Sequence, residues 1–316
     1  MQAAPHDPSM AISFELRSSR LAKIISGLLA LLLFAFVSVA SIAGFLVYQV
    51  VHPPRNPASI DADVMMGHPM VASFPIPGEA DRDGLFFPGL RGAPTVIVCH
   101  GYGAQESDVL TLVTALQEHQ FNVFLFDFLG HGTVPGVTTL GYRETGELRA
   151  AIQSLASRDD VDPRHFGLWG TDMGAYAVLE VAASDKRVAA FAVEDPYADP
   201  RDMVRLQVKN SGLQAIPYVD RFVDFAFRMY NYPFRNEPPV STRLAGTTGI
   251  PKLFILASDR PALADEGLQL FVKSPDPKQM LRVKSTYRDL PDDDRKAYEN
   301  QVISFFLLNI PPTSQN

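Results

Sequence analysis

The chain has little of three things from which sites are commonly built. Cysteine occurs once, at Cys99 inside an apolar run, which excludes an internal disulfide and a multi-cysteine zinc site and predicts a buried, inert thiol. Histidine stops early, with none of the seven beyond His165. Basic charge is nowhere clustered after the first 25 residues, and the formal net charge is −7 over 316 residues. Such a surface has no general attraction for a phosphate backbone, so nucleic acid is not an expected partner. No internal repeat and no grouping of ligand-type residues emerges, so neither a metal nor a cofactor is expected. The single thiol leaves the redox compartment open.

What the chain has in quantity is apolar length. At 47% hydrophobic residues it can bury one large core, and residues 24–51 run without a charge. About 20 residues suffice to cross a hydrocarbon core, so this stretch is predicted to be a transmembrane helix. A cleaved signal peptide is the other reading, because Arg17, Arg20 and Lys23 precede the run and Ser38-Val39-Ala40 resembles a cleavage site. Signal cores are usually about 7–15 residues long, whereas this one continues through Phe45, Leu46, Val47 and Tyr48. An uncleaved single-pass anchor is therefore the expectation. Three basic residues before the span against Arg55 soon after it put residues 1–23 in the cytoplasm and the rest on the extracytoplasmic side. Residues 52–66 are proline-rich and read as an extended linker, spacing the membrane from a domain over 67–310; residues 311–316 form a tail.

Within 67–310, short apolar runs alternate with helix-like stretches, the pattern of strands joined by helical crossovers in a mostly parallel sheet. Strands are predicted at 71–76, 85–87, 95–99, 123–128, 166–169, 188–193, 253–257 and 281–283, the first two as an antiparallel edge hairpin. Helices are predicted from 106, over 144–157, after 172, near 262–272 and over 294–308. Residues 200–248 contain no strand pattern and read as a cap insertion.

Four motifs occur in order. They are His100-Gly101-Tyr102-Gly103 after the third strand, Asp127 to Gly132 after the fourth, Gly170-Thr171-Asp172-Met173-Gly174 between strand and helix, and Glu194-Asp195-Pro196-Tyr197 after the next strand. In this order they resemble the α/β-hydrolase superfamily, in particular its membrane-anchored branch similar to serine aminopeptidases and acyl esterases. The resemblance implies an eight-stranded, mostly parallel sheet with helices on both faces and a cap. It assigns Asp172 to the nucleophile position of the elbow, Tyr102 and Met173 to the backbone donors of an oxyanion hole, Asp259 to the acid position, and Tyr287 to the place of the family histidine. Glu194 and Asp195 are alternative acids.

Two of these positions depart from the family: aspartate stands for serine, and tyrosine for histidine. Asp172 has two readings. In dehalogenases and epoxide hydrolases of this fold an elbow aspartate attacks carbon and forms an ester, but hydrolysing that ester needs a base, for which His100 and His131 are the candidates. Structurally, aspartate tolerates left-handed backbone angles and caps a helix well. Neither oxyanion donor depends on side-chain identity, so a working hole is expected to survive. In the cap, Val219, Phe222, Val223, Ala226 and Tyr230 follow helical spacing; the helix is read as cap core, as the lining of a pocket for an apolar or acyl ligand, or as a face leaning on the bilayer. Asp292-Asp293-Asp294 reads as the charged start of the last helix rather than a cation site. The expectation is a membrane-tethered binding or scaffolding protein without serine-hydrolase turnover, the alternative being a hydrolase of ester-like, halide or epoxide substrates that uses Asp172 with a relocated base. No protein partner is named by the sequence.

Overall fold

The computed structural model describes residues 20–55 and 67–312, leaving the N-terminal tail, most of the proline-rich connector and the last residues outside it. Helix α1 (Arg20–Val51) precedes an eight-stranded sheet of β1 (Met70–Phe74), β2 (Arg82–Phe87), β3 (Thr95–Cys99), β4 (Asn122–Phe126), β5 (Phe166–Thr171), β6 (Val188–Glu194), β7 (Lys252–Ala257) and β8 (Lys278–Val283). The spatial order is β1-β2-β4-β3-β5-β6-β7-β8. The β1–β2 and β2–β4 pairs are antiparallel, and β3 through β8 run parallel with β4. All eight predicted strands are present, and this is the α/β-hydrolase fold that the motifs imply.

Strands covered on both faces carry near-continuous apolar runs, and β3 and β4 are buried along their whole length. The covering helices are α2 (Leu110–Glu118), α3 (Tyr142–Leu155), α4 (Met173–Ala182), α7 (Pro261–Lys273) and α8 (Asp292–Asn309). One apolar cluster fills the side holding Leu168, Val178 and Phe254, and a second the side holding Trp169, Tyr298 and Phe306. The triple aspartate forms the first turn of α8, favoured there by the helix dipole. Among the described residues no group of ligand-type side chains is arranged to hold a metal ion.

Between β6 and β7 the cap consists of α5 (Pro200–Asn210), α6 (Val219–Tyr230) and short 3-10 turns. The cap's two helices pack on the end of α1, whose Ala43, Leu46, Val47, Val50 and Val51 are buried in the domain's own core. Burying each of the larger of these side chains contributes roughly 1.5–3 kcal/mol. Two hydrogen bonds fasten the helix end: the Tyr102 hydroxyl donates to the Val50 carbonyl at 2.9 Å, and the Thr138 N–H to the Val51 carbonyl at 3.0 Å. The helix therefore docks directly on the domain; most of the segment read as a spacer, 52–66, lies outside the described residues.

Candidate active site

Strand β5 ends at Thr171, and α4 begins at Met173, so the whole reversal falls on Asp172. Its φ of 36° and ψ of −97° are a strained combination for a side-chain-bearing residue. The turn closes because Gly174 lies against β3: a Cβ there would stand 2.5 Å from the Cys99 carbonyl oxygen and 2.6 Å from that of His100. Gly101 is required in the same way, since a Cβ would meet both Asp172 carboxylate oxygens at 2.8 Å.

The Asp172 side chain is buried and turned back into its own turn. Oδ1 accepts the Tyr102 N–H at 2.6 Å and the Met173 N–H, while Oδ2 accepts from an Arg260 guanidinium nitrogen at 3.1 Å. The two backbone donors assigned to an oxyanion hole therefore both point at one oxygen, as that motif requires, and the oxygen belongs to Asp172 itself. The expectation that the hole would remain available differs from what the structure contains. A carboxylate is a stronger acceptor than a substrate carbonyl, and this one is held by charge-assisted bonds on both oxygens.

Arg260 went unnoticed in the sequence. It follows Asp259 at the end of β7, and the two diverge: Asp259 is exposed, whereas Arg260 turns in to Asp172. Burial disfavours the Arg260 charge, but Asp172 outweighs it, with Asp195 and Glu194 adding to the effect. The nearer buried acids are those last two. Glu194 Oε1 accepts the Tyr287 N–H at 2.9 Å and Asp195 Oδ1 the Ala257 N–H at 2.8 Å. Burial first, and for Glu194 also the neighbouring Asp195, pushes Glu194 up to about 8; burial pushes Asp195 up to about 7.

Tyr287 begins a short 3-10 turn after β8, on the chain segment expected. Its ring is buried between Trp169 and Tyr298, its hydroxyl donates to Glu299 at 2.7 Å and shares a 2.5 Å bond with Thr111. These partners sit on α8 and α2, so the phenol is tied to helices rather than to the elbow. Burial, reinforced by Glu299, raises its pKa; it is not a base near neutrality.

The candidate substitute bases are also occupied. His100 has Nδ1 at 2.9 Å from the Gly101 carbonyl, while Nε2 accepts the Phe128 N–H at 3.0 Å. His131 has Nδ1 at 3.1 Å from the Leu129 carbonyl, with its Nε2 buried and unpartnered. Burial, then the nearby His100, lowers His131 to about 3, which makes it a feeble base. Among the described residues no histidine hydrogen-bonds to Asp172.

The cavity at the elbow, bounded by Tyr102, Asp172, Glu194, Arg260 and Tyr287, measures about 30 Å³. Small-molecule sites usually enclose roughly 300–1,000 Å³. The large opening of the domain, about 1750 Å³, is a groove between the 75–83 turn, the 129–137 loop and α3, and it does not include Asp172. Beside the cap helix the clefts are about 10 Å³ each. Buried Val219, Val223 and Phe227 of α6 are packed in the core cluster.

A family model described as the alpha/beta hydrolase fold matches residues 94–231, from β3 through the elbow to the cap. An uncharacterized protein of Escherichia coli K12, YfhR, is 24% identical over 242 residues, 72% of this chain and 77% of that one. The uncharacterized protein Rv2307c of Mycobacterium tuberculosis is 34% identical over 119 residues, 36% of this chain and 41% of that one. Among solved structures, the Pyrococcus furiosus esterase Pf2001 superposes with a TM-score of 0.66 at 17% identity, covering 83% of this chain and 99% of the esterase.

Proposed function

Since this chain is an α/β-hydrolase-fold protein, we propose that it is a membrane-tethered member of the fold without serine-hydrolase turnover, acting as a binding or scaffolding module. One observation carries the reading: the elbow side chain fills its own oxyanion hole. A tetrahedral intermediate needs those two N–H groups where charge develops, and here an oxygen of the Asp172 side chain already holds them. The Arg260 contact to the other oxygen further lowers the carboxylate's nucleophilicity. The cavity of about 30 Å³ supports a scaffolding role over the capture of an acyl ligand at this site. The N-terminal apolar helix supports the tether, and the basic residues around it support a cytoplasmic N-terminus with the domain outside.

The test is turnover by the full chain, purified in detergent, on a panel of acyl esters, epoxides and haloalkanes, beside Asp172→Asn. No turnover above background is expected from either, and no labelling of residue 172 by a fluorophosphonate. Activity present in the native chain and lost in Asp172→Asn would establish the rival reading, an aspartate-nucleophile hydrolase. That rival has the unpartnered Nε2 of His131 in its favour, and the low basicity of the same nitrogen against it.

A further inference from the structure

Helix α1 is longer than the part of it that stands clear of the domain. From Ile24 to Val37 every residue is exposed, and from Ser38 onward the helix is increasingly covered, with Phe36 already in edge contact with Phe222 of α6 at 5.2 Å between ring centres. From Ala22, the start of the apolar span, to Val37 the helix rises about 24 Å. A hydrocarbon core is about 30 Å thick, so the portion that stands clear of the domain is short by about 6 Å. Partial entry of the domain would make up the difference, and the element beside α1 at that level is α6.

The surface of α6 suits this position. Phe222, Phe225 and Met229 recur at i, i+3 and i+7, one face of α6, and Tyr218 stands at its N-cap. Tyr218 is 67%, Phe225 64% and Met229 53% exposed, so the stripe continues outward from the Phe36–Phe222 contact as bare apolar surface. At its margins Arg221 lies 5.5 Å over the Tyr218 ring and Arg235 3.8 Å over Tyr232. Aromatic rings with guanidinium groups extended past them belong at headgroup level, where an apolar body and a charged tip are both satisfied.

We propose that α6 is a second membrane contact: its Tyr218–Phe225–Met229 face lies in the leaflet nearest the domain, about 5–10 Å deep, as interfacial helices do, and holds the cap flat against the bilayer. This inference rests on α1 being retained as an anchor. The two are separated by depth quenching. The full chain is placed in vesicles of phosphatidylcholine and phosphatidylglycerol, and an environment-sensitive fluorophore is attached in turn through Leu31→Cys, Phe225→Cys, Met229→Cys or Lys296→Cys. Native Cys99 is fully buried and stays unlabelled. Quencher groups are carried on lipid acyl chains.

The expected result is at least about twofold quenching at 31, 225 and 229, deepest at 31, and none at 296 on α8. Quenching at 31 with 225 and 229 behaving like 296 overturns the α6 contact and leaves the anchor standing. Absence of quenching at 31 removes the anchor and the inference together. Energy transfer between labels at 225 on separate copies, without lipid quenching, identifies the stripe as a contact between two chains and also overturns the proposal.

Discussion

The elbow residue Asp172 and Tyr287, the two positions at which the sequence departs from the pattern it resembles, are held in different ways. At the elbow the backbone is intact: the strand, the strained residue, the glycine contact with β3 and two converging N–H donors are all in place, and only the side chain has changed. Tyr287 borders the elbow cavity, but its hydroxyl is bonded away from Asp172, to Thr111 and Glu299. Parts of a site made by backbone geometry are also parts of the fold, and removing them costs stability. A lone catalytic side chain has no such protection, and its replacement is free to take other partners.

The contrast is broken most severely by Gly174→Ala, because the new methyl group meets two backbone carbonyls that cannot turn aside. A loss of about 3 kcal/mol is expected, read as a lowered denaturant midpoint. Little loss would mean the elbow backbone is not held by this packing. Next comes Tyr287→His, which introduces the residue that the resemblance implies at this position. It strands the buried Glu299 carboxylate and is expected to destabilise by roughly 2 kcal/mol, with no turnover gained even alongside Asp172→Ser. Esterase activity in that double variant would show that residue 287 still addresses the elbow.

Asp172 itself gives a smaller and graded effect. Asp172→Asn keeps an oxygen for the two N–H groups and should cost under about 1 kcal/mol, whereas Asp172→Ala leaves them unpaired beside Arg260 and should cost about 2 kcal/mol. Equal losses would mean that the ion pair with Arg260, a third exposed, matters more than the backbone bonds.

The smallest effect is in pH. Glu194 and Asp195 keep protons in the folded chain up to about 8 and about 7 that the unfolded chain releases near 4. Their contribution to stability is therefore largest in acid and falls as pH rises through that window. His131, lowered to about 3 by burial and His100, has the opposite slope, but only below its ordinary 6.5. Between pH 6.5 and 8.5 the carboxylates dominate, and a fall of a few degrees in Tm is expected, flattened in Glu194→Gln. An unchanged slope in that variant would assign the effect to other buried acids such as Glu147, itself raised to about 8 by burial, with Arg82 opposing the shift.

The sheet was legible in the sequence because each strand is a short apolar run bounded by turns, and burial on both faces leaves little else for such runs to do. Asp172, Tyr102 and Met173 were legible as a set through the resemblance, whose glycine-bearing motifs mark where backbones must approach. Arg260 was not, since no periodicity tells which of two adjacent charged residues at a strand end turns inward. Nor was the burial of α1 beyond residue 42: a Leu or Val facing lipid and one facing a protein core are chemically alike, and only the cap's position distinguishes them.

That burial has a consequence for proteolysis. The fully buried positions of α1 begin at Ala43, beyond the partly covered small residues Ser38-Val39-Ala40, and end at Val51. A cut after Ala40 would leave the packed segment attached, so the released protein would keep its cap seated and its Tyr102 and Thr138 hydrogen bonds intact. A cut beyond Val51 would strip the buried end of helix α1 from α5 and α6 and expose their apolar faces to water. Any shed form that remains folded therefore carries residues 43–51 at its front, and the N-terminus of such a form, read by mass spectrometry, reports which side of that boundary the chain was cut.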